Sequence, residues 1–199
     1  MPSNPLILGF DTSAAHCAAA LVSGDQVLAD WHDDMSRGQA ERIMPLLEEV
    51  LKEGGKDWSD LSAIGVGIGP GNFTGIRISV AAARGLALGL GIPAIGVSSF
   101  DAIAQGATTP GLPTVPGPRG QAYIAPKDRP PYLASAEVLS DVMQDTVLLT
   151  PKSAHIAIDI AKVAGKRLLA GELTAPAPLY IKPADAAPSR DAAPTILPQ

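Results

Sequence analysis

The chain has 199 residues, a formal net charge of -5 and 18 % charged residues. A chain of this length buries roughly 70 % of its unfolded surface, so it needs no disulfide or metal to hold it together. The acidic balance argues against a protein that binds nucleic acid through a large basic surface. Its single cysteine, Cys17, excludes an intramolecular disulfide and a cysteine-based zinc site.

No segment has the pattern of a leader or a membrane span. The first five residues lack the basic segment and long apolar run of a signal peptide. Proline, glycine or charge interrupts every apolar run before the roughly 18 to 20 residues that a membrane helix needs. We therefore expect a soluble cytoplasmic protein that does not contact a membrane.

The first hundred residues predict an antiparallel meander followed by alternating helices and strands. Three apolar runs separated by polar turns predict the meander, at residues 6–11, 17–22 and 26–33. A helix is predicted at 37–53, where apolar residues recur at helical spacing and Pro45 either starts or bends the helix. These apolar residues are Ile43, Leu46, Leu47, Val50 and Leu51. The next predicted elements are a strand at 62–69, a helix at 74–90, a strand at 93–97 and a helix at 98–105.

The second half of the chain has weaker patterns. Prolines interrupt residues 109–118, and no element is predicted there. The elements predicted beyond it are a strand at 121–125, a helix at 135–143, a strand at 146–149 and a helix at 155–164. From Pro183 onward the composition buries too little surface to order itself, so we expect a frayed tail.

The densest motif is the glycine-rich segment 65–77, which joins a predicted strand to the start of a predicted helix. Backbone N–H groups and the helix dipole at such a turn can hold an anion. The segment lacks the lysine of a P-loop and does not match G-x-G-x-x-G. The glycines can also serve a tight turn and close backbone packing, and the residues alone favour this second interpretation.

Small residues recur four apart on the helix that follows this turn. One face carries Ala81, Gly85 and Gly89, and an adjacent face carries Ser79, Ala83, Ala87 and Gly91. A glycine inside a helix costs roughly 1 kcal/mol relative to alanine, so close contact must offset that cost. Packing on the protein's own sheet explains one small face. Contact with another protein is the sharper hypothesis for the other.

Other polar residues give weaker signals. Asp11, Thr12 and Ser13 end the first strand at a turn, where they either orient Mg-nucleotide phosphates or simply cap an Asx turn. The three histidines lack the spacing of a helical metal site, and no Ser-His-Asp set is suggested, so we predict neither a metal site nor catalytic residues. Arg77 and Arg84 share a helix face, where they either pair with a partner's acidic groups or are solvated.

Several segments together resemble a known protein family. They are residues 8–13, residues 39–47 and above all Gly69-Pro70-Gly71-Asn72-Phe73-Thr74-Gly75-Ile76-Arg77-Ile78, followed by Gly85-Leu86-Ala87 and Ile95-Gly96-Val97-Ser98. The string G-P-G-x-F-T-G-[IV]-R is long and unusual, and residues 178–185 are similar to the family's closing segment. On these motifs the chain resembles the TsaB family, bacterial tRNA threonylcarbamoyladenosine biosynthesis subunits related to the catalytic protein TsaD.

The resemblance implies an α/β fold of the actin-like ATPase (ribonuclease H-like) type with two lobes. We expect the first lobe at 1–105, a short second lobe at 106–182 and a flexible tail at 183–199. The resemblance implies a non-catalytic subunit that dimerises with TsaD. With the ATPase TsaE, it supports threonylcarbamoyl transfer to the adenosine beside the anticodon. Contact with tRNA is then only indirect, and we expect the chain to form a homodimer when TsaD is absent.

The resemblance also assigns site residues. In the family the two helices of the first lobe form the pairing surface. The partner-interface residues expected here are Ile43, Leu46, Leu47, Val50, Arg77, Ala81, Arg84, Gly85 and Gly89. The nucleotide-proximal candidates are Asp11, Thr12, Ser13, Gly69, Gly71 and Asn72. No cofactor is expected, with ATP or ADP held only at the interface of a complex.

Departures from the family pattern weigh against catalysis. Residues 116–123 replace the Asp-Ala-Arg-Arg-like segment that usually opens the second lobe, and they carry no acid. A second phosphate-orienting carboxylate is therefore missing, as is a histidine pair like TsaD's, and the second lobe is shorter. Two alternatives stay open: an ATP-dependent kinase or hydrolase that uses Asp11 and the glycine-rich turn, and a glycoprotease-like peptidase.

Overall fold

A computed structural model describes residues 4–152 and 155–181, which form two β-sheets and five α-helices. The strands are β1 (Leu6–Asp11), β2 (His16–Ser23), β3 (Gln26–Asp34), β4 (Ala63–Gly67), β5 (Ala94–Val97), β6 (Leu112–Pro116), β7 (Ala122–Ile124), β8 (Tyr132–Ala134) and β9 (Leu148–Leu149). The helices are α1 (Gln39–Glu53), α2 (Phe73–Leu90), α3 (Ser99–Gly106), α4 (Ala136–Asp145) and α5 (Ile156–Ala170). The predicted tail at 183–199 lies outside the described residues.

The first sheet has the strand order β3-β2-β1-β4-β5. Strands β1 to β3 form the predicted antiparallel meander, while β4 and β5 run parallel to β1. In the centre of the sheet, Leu8 pairs with Leu21 on one side and with Ile64 on the other. Every residue of β1 and β4 is buried because helices cover both faces of the sheet.

Helices α1 and α2 cover one face of this sheet and α5 covers the other. The approach of α5 is close, because a Cβ on Gly9 would lie 2.5 Å from the Ala157 carbonyl oxygen and 2.7 Å from the Ala161 Cβ. The same helix passes over Gly65, where a Cβ would lie 2.8 Å from that of Ala164. Glycine and alanine therefore bring helix and sheet together at minimal separation.

This position of α5 corrects the predicted division of the chain. The segment 106–182 was expected to form the second lobe, but Ile156, Ile160 and Ala164 of α5 lie in the core of the first sheet. A single boundary between residues 105 and 106 does not anticipate this return, because the apolar pattern of a helix does not say which sheet it covers. The first lobe is therefore built from the start of the chain together with α5.

The second sheet is small and has the order β8-β7-β6-β9. Its strand β6 lies within the proline-rich segment where no element was predicted. Pro113 and Pro116 are tolerated near the strand ends, where the backbone pairs with β9 and β7. Strand β8 was also not predicted. Helix α4, which follows β8 along the chain, has no buried residue, so this lobe has only a thin core.

Helix α2 passes a test for a membrane span by length and composition alone, although Arg77 and Arg84 interrupt its apolar run, as expected from the sequence. Its inner residues Ile76, Val80 and Ala83 are nevertheless buried within the first lobe. Helix α2 is therefore one layer of the fold, with an apolar inner face and a second face that remains exposed.

We predict that Gly9→Ala lowers the free energy of unfolding by about 2 kcal/mol, because the new methyl group forces α5 away from the sheet. Gly165→Ala is the matched control, since its Cβ would meet only Ile7 at an ordinary 3.5 Å. That substitution should raise the stability by up to about 1 kcal/mol through helix propensity. Urea denaturation of both variants measures the difference, and equal stabilities would contradict the close packing of α5.

Candidate functional site

The glycine-rich turn before α2 packs against the turn that joins β1 to β2. A Cβ on Gly71 or Gly75 would clash with the carbonyl oxygens of Ser13 and Thr12. The Asn72 N–H donates to the Ser13 carbonyl at 2.6 Å, and the Thr12 hydroxyl donates to the Gly75 carbonyl at 2.7 Å. The glycines therefore serve close backbone packing, which is the interpretation that the residues favoured.

The same turn determines where α2 begins. Gly69 has a φ of 89°, in the left-handed region that favours glycine. Three residues later the Asn72 side chain caps the helix, because its Oδ1 accepts a hydrogen bond from the Gly75 N–H at 2.9 Å. Both turns together hold the start of α2 at the edge of the first sheet.

Asp11 lies beneath these turns and is only 1 % exposed. Its Oδ2 accepts hydrogen bonds from the Ser13 N–H at 3.0 Å and the Ser13 hydroxyl at 2.9 Å, and it lies 2.7 Å from the His16 Nε2. Its Oδ1 is buried over Gly67 and has no hydrogen-bond partner among the described residues. Asp11 therefore stabilises the β1–β2 turn, and His16 provides a donor to its carboxylate.

A cleft of about 1290 Å³ separates the two lobes. Its first-lobe wall includes Asp11, His16 and the turn before α2, and its second-lobe wall includes Pro116 and Tyr123. The predicted nucleotide-proximal residues Asp11, Thr12, Ser13, Gly69, Gly71 and Asn72 are thus brought together beside this cleft, although Thr12 and Gly69 do not line it.

An actin-like ATPase fold implies a magnesium nucleotide, for which Asp11 and the β1–β2 turn are the candidate contacts here. The Asp11 carboxylate is buried, and its Oδ2 already takes three hydrogen bonds. The backbone of the β1–β2 turn is covered by the glycine-rich turn rather than open to phosphate. The turn backbone therefore does not form a phosphate cradle in this conformation, and Oδ1 is the one oxygen of the Asp11 carboxylate that has no partner among the described residues.

Other chemistry-bearing residues are dispersed. Residues 4–152 and 155–181 contain no group of three or more His, Cys, Asp or Glu side chains placed to hold a metal ion. Burial raises the pKa of the Cys17 thiol to about 12, so this cysteine is protonated at neutral pH and packs as an apolar residue.

The predicted partner-interface residues of α2 share one exposed face. Arg77, Ala81, Arg84, Gly85 and Gly89 are all exposed, and Leu88 beside them is 87 % exposed. A Cβ built on Gly85 or Gly89 meets no described atom within 4 Å. We refer to Arg77, Ala81, Arg84, Gly85, Leu88 and Gly89 as the outer face of α2. Apart from its two arginines, its residues are small or apolar.

The predicted partner-interface residues of α1 require a correction. Ile43, Leu46, Leu47 and Val50 are at most 3 % exposed, because they pack on the first sheet and form its core. They cannot contact a partner directly, since an apolar stripe at helical spacing marks the face that a helix buries. Helix α1 instead exposes Met44, Glu48 and Glu49.

An ion pair orders the exposed side of α1. Arg42 donates to Glu49 at 2.8 Å and to Asp33 of β3 at 2.6 Å. The hydrogen bond from Arg42 lowers the pKa of Glu49. Beside α2, therefore, α1 presents carboxylates that are partly neutralised by an arginine of the same helix.

Sequence reasoning missed one cluster at the start of α2. The Arg77 Nε donates to the Tyr180 hydroxyl at 2.8 Å, and its guanidinium carbon lies 3.9 Å from the centroid of the Phe73 ring. The Phe73 and Tyr180 rings stack with centroids 4.9 Å apart. Residues 178–185 carried part of the family resemblance, but no local pattern links Tyr180 to a residue so distant along the chain.

The family model described as TsaD, tRNA N6-adenosine threonylcarbamoyltransferase, matches residues 33–183. The tRNA threonylcarbamoyladenosine biosynthesis protein TsaB of Escherichia coli is 41 % identical over 101 residues, which cover 51 % of this chain and 43 % of that protein. Its Bacillus subtilis counterpart is 38 % identical over 120 residues, covering 59 % and 52 %.

The solved structure of YeaZ from Pseudomonas aeruginosa has a similar fold, with a TM-score of 0.73 at 22 % identity. The match covers 88 % of this chain and 99 % of that one. Two sheets in this arrangement confirm the predicted α/β, actin-like ATPase (ribonuclease H-like) fold.

These matches define the class of protein. The chain belongs to the TsaD family, because the family model covers more than half of it. Within that family the curated relatives named TsaB confirm the resemblance to TsaB that the motifs indicated. The chain spans about half the length of the curated relatives it matches.

We predict that His16→Ala lowers the free energy of unfolding by about 2 to 3 kcal/mol, because the buried Asp11 carboxylate loses a hydrogen-bond donor. The same substitution in an Asp11→Asn background should cost about 1 kcal/mol or less, since no buried charge is then left without its donor. Chemical denaturation of the four proteins tests the coupling. Equal losses in both backgrounds would show that His16 acts only through packing.

Proposed function

We propose that the chain is a non-catalytic subunit of the machinery that makes threonylcarbamoyladenosine in tRNA. In this proposal it dimerises with a TsaD-type catalytic subunit and supports threonylcarbamoyl transfer to the adenosine beside the anticodon. The outer face of α2 is the observation that carries the proposal, and the relatives named TsaB supply the pathway.

The composition of this face suits a protein partner. Gly85 and Gly89 lie in the middle of a helix, where each costs roughly 1 kcal/mol relative to alanine. No described part of the chain packs on them to offset that cost. The absence of side chains there lets a second helix approach the α2 backbone closely, and Leu88 supplies apolar area for burial in the complex.

The site chemistry supports an accessory role. Asp11 is engaged by Ser13 and His16, and the opening of the second lobe at residues 116–123 provides no carboxylate. Within the described ranges, no cluster suited to metal binding compensates for this. Neither the kinase or hydrolase hypothesis nor the peptidase hypothesis gains an observation in its favour.

Further parts of the proposal follow from the family. A TsaE-type ATPase acts with the two subunits, and ATP or ADP is held only at the interface of the complex. The tRNA contacts the chain only indirectly, in keeping with its net charge of -5. In the absence of the catalytic subunit the same outer face pairs two copies as a homodimer. The complex works in the cytoplasm.

We predict that Gly85→Leu weakens heterodimer formation with the TsaD-type subunit by about 10- to 100-fold, because its side chain blocks close approach of the partner helix. Its unfolding free energy should not fall, since the substituted position faces open space. Isothermal titration calorimetry measures the dissociation constant.

Gly85→Ala is the matched control, because it adds only a methyl group at the same position. It should stabilise the isolated chain by up to about 1 kcal/mol and change the dissociation constant only slightly. An unchanged dissociation constant for Gly85→Leu would show that another surface binds the partner. Full tRNA modification by the TsaD-type and TsaE-type proteins without this chain would contradict the proposed function itself.

A further inference from the structure

The cluster of Phe73, Arg77 and Tyr180 joins the C-terminal segment of the described chain to the outer face of α2. Tyr180 lies in residues 172–181, which follow α5 and form no regular element. This segment is anchored, because the Leu179 N–H donates to the Ile68 carbonyl at 2.8 Å. Leu179 and Ile181, on either side of Tyr180, pack against the apolar cluster formed between α3 and the second sheet.

These anchors determine where the tyrosine ring lies. The backbone at Tyr180 is held in place, because Leu179 and Ile181 on either side of it are packed against the rest of the protein. Its ring stacks on Phe73, the first residue of α2. The hydroxyl accepts the hydrogen bond from the Arg77 Nε. The segment 172–181 therefore holds Arg77 from outside its own helix.

The guanidinium is oriented as well as held. Its carbon lies over the Phe73 ring at 3.9 Å, a cation–π contact, while the Nε is used by Tyr180. The two terminal nitrogens donate no hydrogen bond to a described residue. A planar guanidinium held in this way is pre-organised for a bidentate pair with a carboxylate, and less side-chain entropy is lost when that pair forms.

Other arginines of the fold show what Arg77 lacks. Arg42 pairs with Asp33 and Glu49, and Arg167 pairs with Asp101. Within the described part of the chain, no carboxylate lies within ion-pair distance of Arg77. Arg77 is nonetheless fixed at the N-terminal end of the outer face.

We propose that Tyr180 is a positioning residue for partner binding: it holds Arg77 so that the guanidinium forms a bidentate ion pair with a carboxylate of the docked protein. The inference rests on the proposed function and adds the chemistry that the partner must supply. One turn beyond Arg77 the outer face continues with Ala81 and Gly85, which suit a helix backbone rather than a nucleic acid. The net charge of -5 likewise disfavours RNA phosphate as the occupant.

A double-mutant cycle on heterodimer formation with the TsaD-type subunit tests this inference. Tyr180→Phe keeps the ring stack and removes only the hydroxyl, and it should weaken binding about 5-fold. Arg77→Ala should weaken binding about 30-fold, because the partner's carboxylate loses its ion pair. The double variant should be no weaker than Arg77→Ala, since Tyr180 acts only through Arg77.

Two further measurements separate positioning from a loss of structure. Arg77→Ala and Tyr180→Ala should both reduce the salt dependence of the dissociation constant, which a purely apolar defect leaves unchanged. If Tyr180→Ala fails to fold, Phe73→Leu replaces it in this test, because it removes the aromatic ring on which the Arg77 guanidinium lies. It should weaken binding only when Arg77 is present. Arg77→Lys should not restore full affinity, since lysine lacks the planar fork.

Normal affinity of Arg77→Ala, or additive losses of about 150-fold in the double variant, overturns this inference while leaving the proposed function intact. A loss that appears only when tRNA is added assigns Arg77 to RNA phosphate and also overturns it. If the unaltered chain does not bind the TsaD-type subunit, both the proposed function and this inference are contradicted. If Gly85→Leu binds weakly while Arg77→Ala binds with normal affinity, only this inference is contradicted.

Discussion

The contact between the glycine-rich turn and the β1–β2 turn determines the rest of the site. Because Gly71 and Gly75 have no side chains, the two backbones meet, and hydrogen bonds from Asn72 and Thr12 join them. One consequence is that the turn in which a phosphate cradle was conceivable is filled by the protein itself. The other is that α2 begins at a fixed point and orientation on the sheet, so that its position does not depend on a ligand.

Helix α2 then carries two different patterns on its two sides. Ile76, Val80 and Ala83 are buried inside the lobe. On the other side, a Cβ on Gly85 or Gly89 would meet no described atom within 4 Å, and Leu88 is exposed. A glycine that packs against nothing lowers the stability of an isolated chain. The glycine is explained if close packing against a partner offsets this loss of stability, as the proposed accessory role requires. In the proposed complex, the stability of the first lobe and the specificity of docking thus depend on opposite faces of one helix.

Sequence reasoning succeeded where a pattern is local. The meander and the helices α1 and α2 were predicted, because burial on one face leaves a periodic pattern in the sequence. It did not identify which face of α1 is exposed to a partner. The apolar stripe that includes Leu46 and Leu47 is buried in the core, and the stripe alone does not distinguish internal packing from docking. Contacts that join distant segments were missed, including α5 on the first sheet and Tyr180 on Arg77. The prolines of residues 109–118 led to the prediction of no element there, but β6 forms because Pro113 and Pro116 lie near its ends, where strand pairing tolerates them.

The central claim is that the outer face of α2, rather than the interlobe cleft, is the working surface of this protein. Hydrogen–deuterium exchange of the chain, alone and with a TsaD-type subunit, tests the claim directly. We predict slower exchange in peptides from residues 79–90, which do not line the cleft, and unchanged exchange in those that line it at 36–41 and 116–123. Protection confined to the cleft peptides, with α2 exchanging as in the free chain, would contradict it.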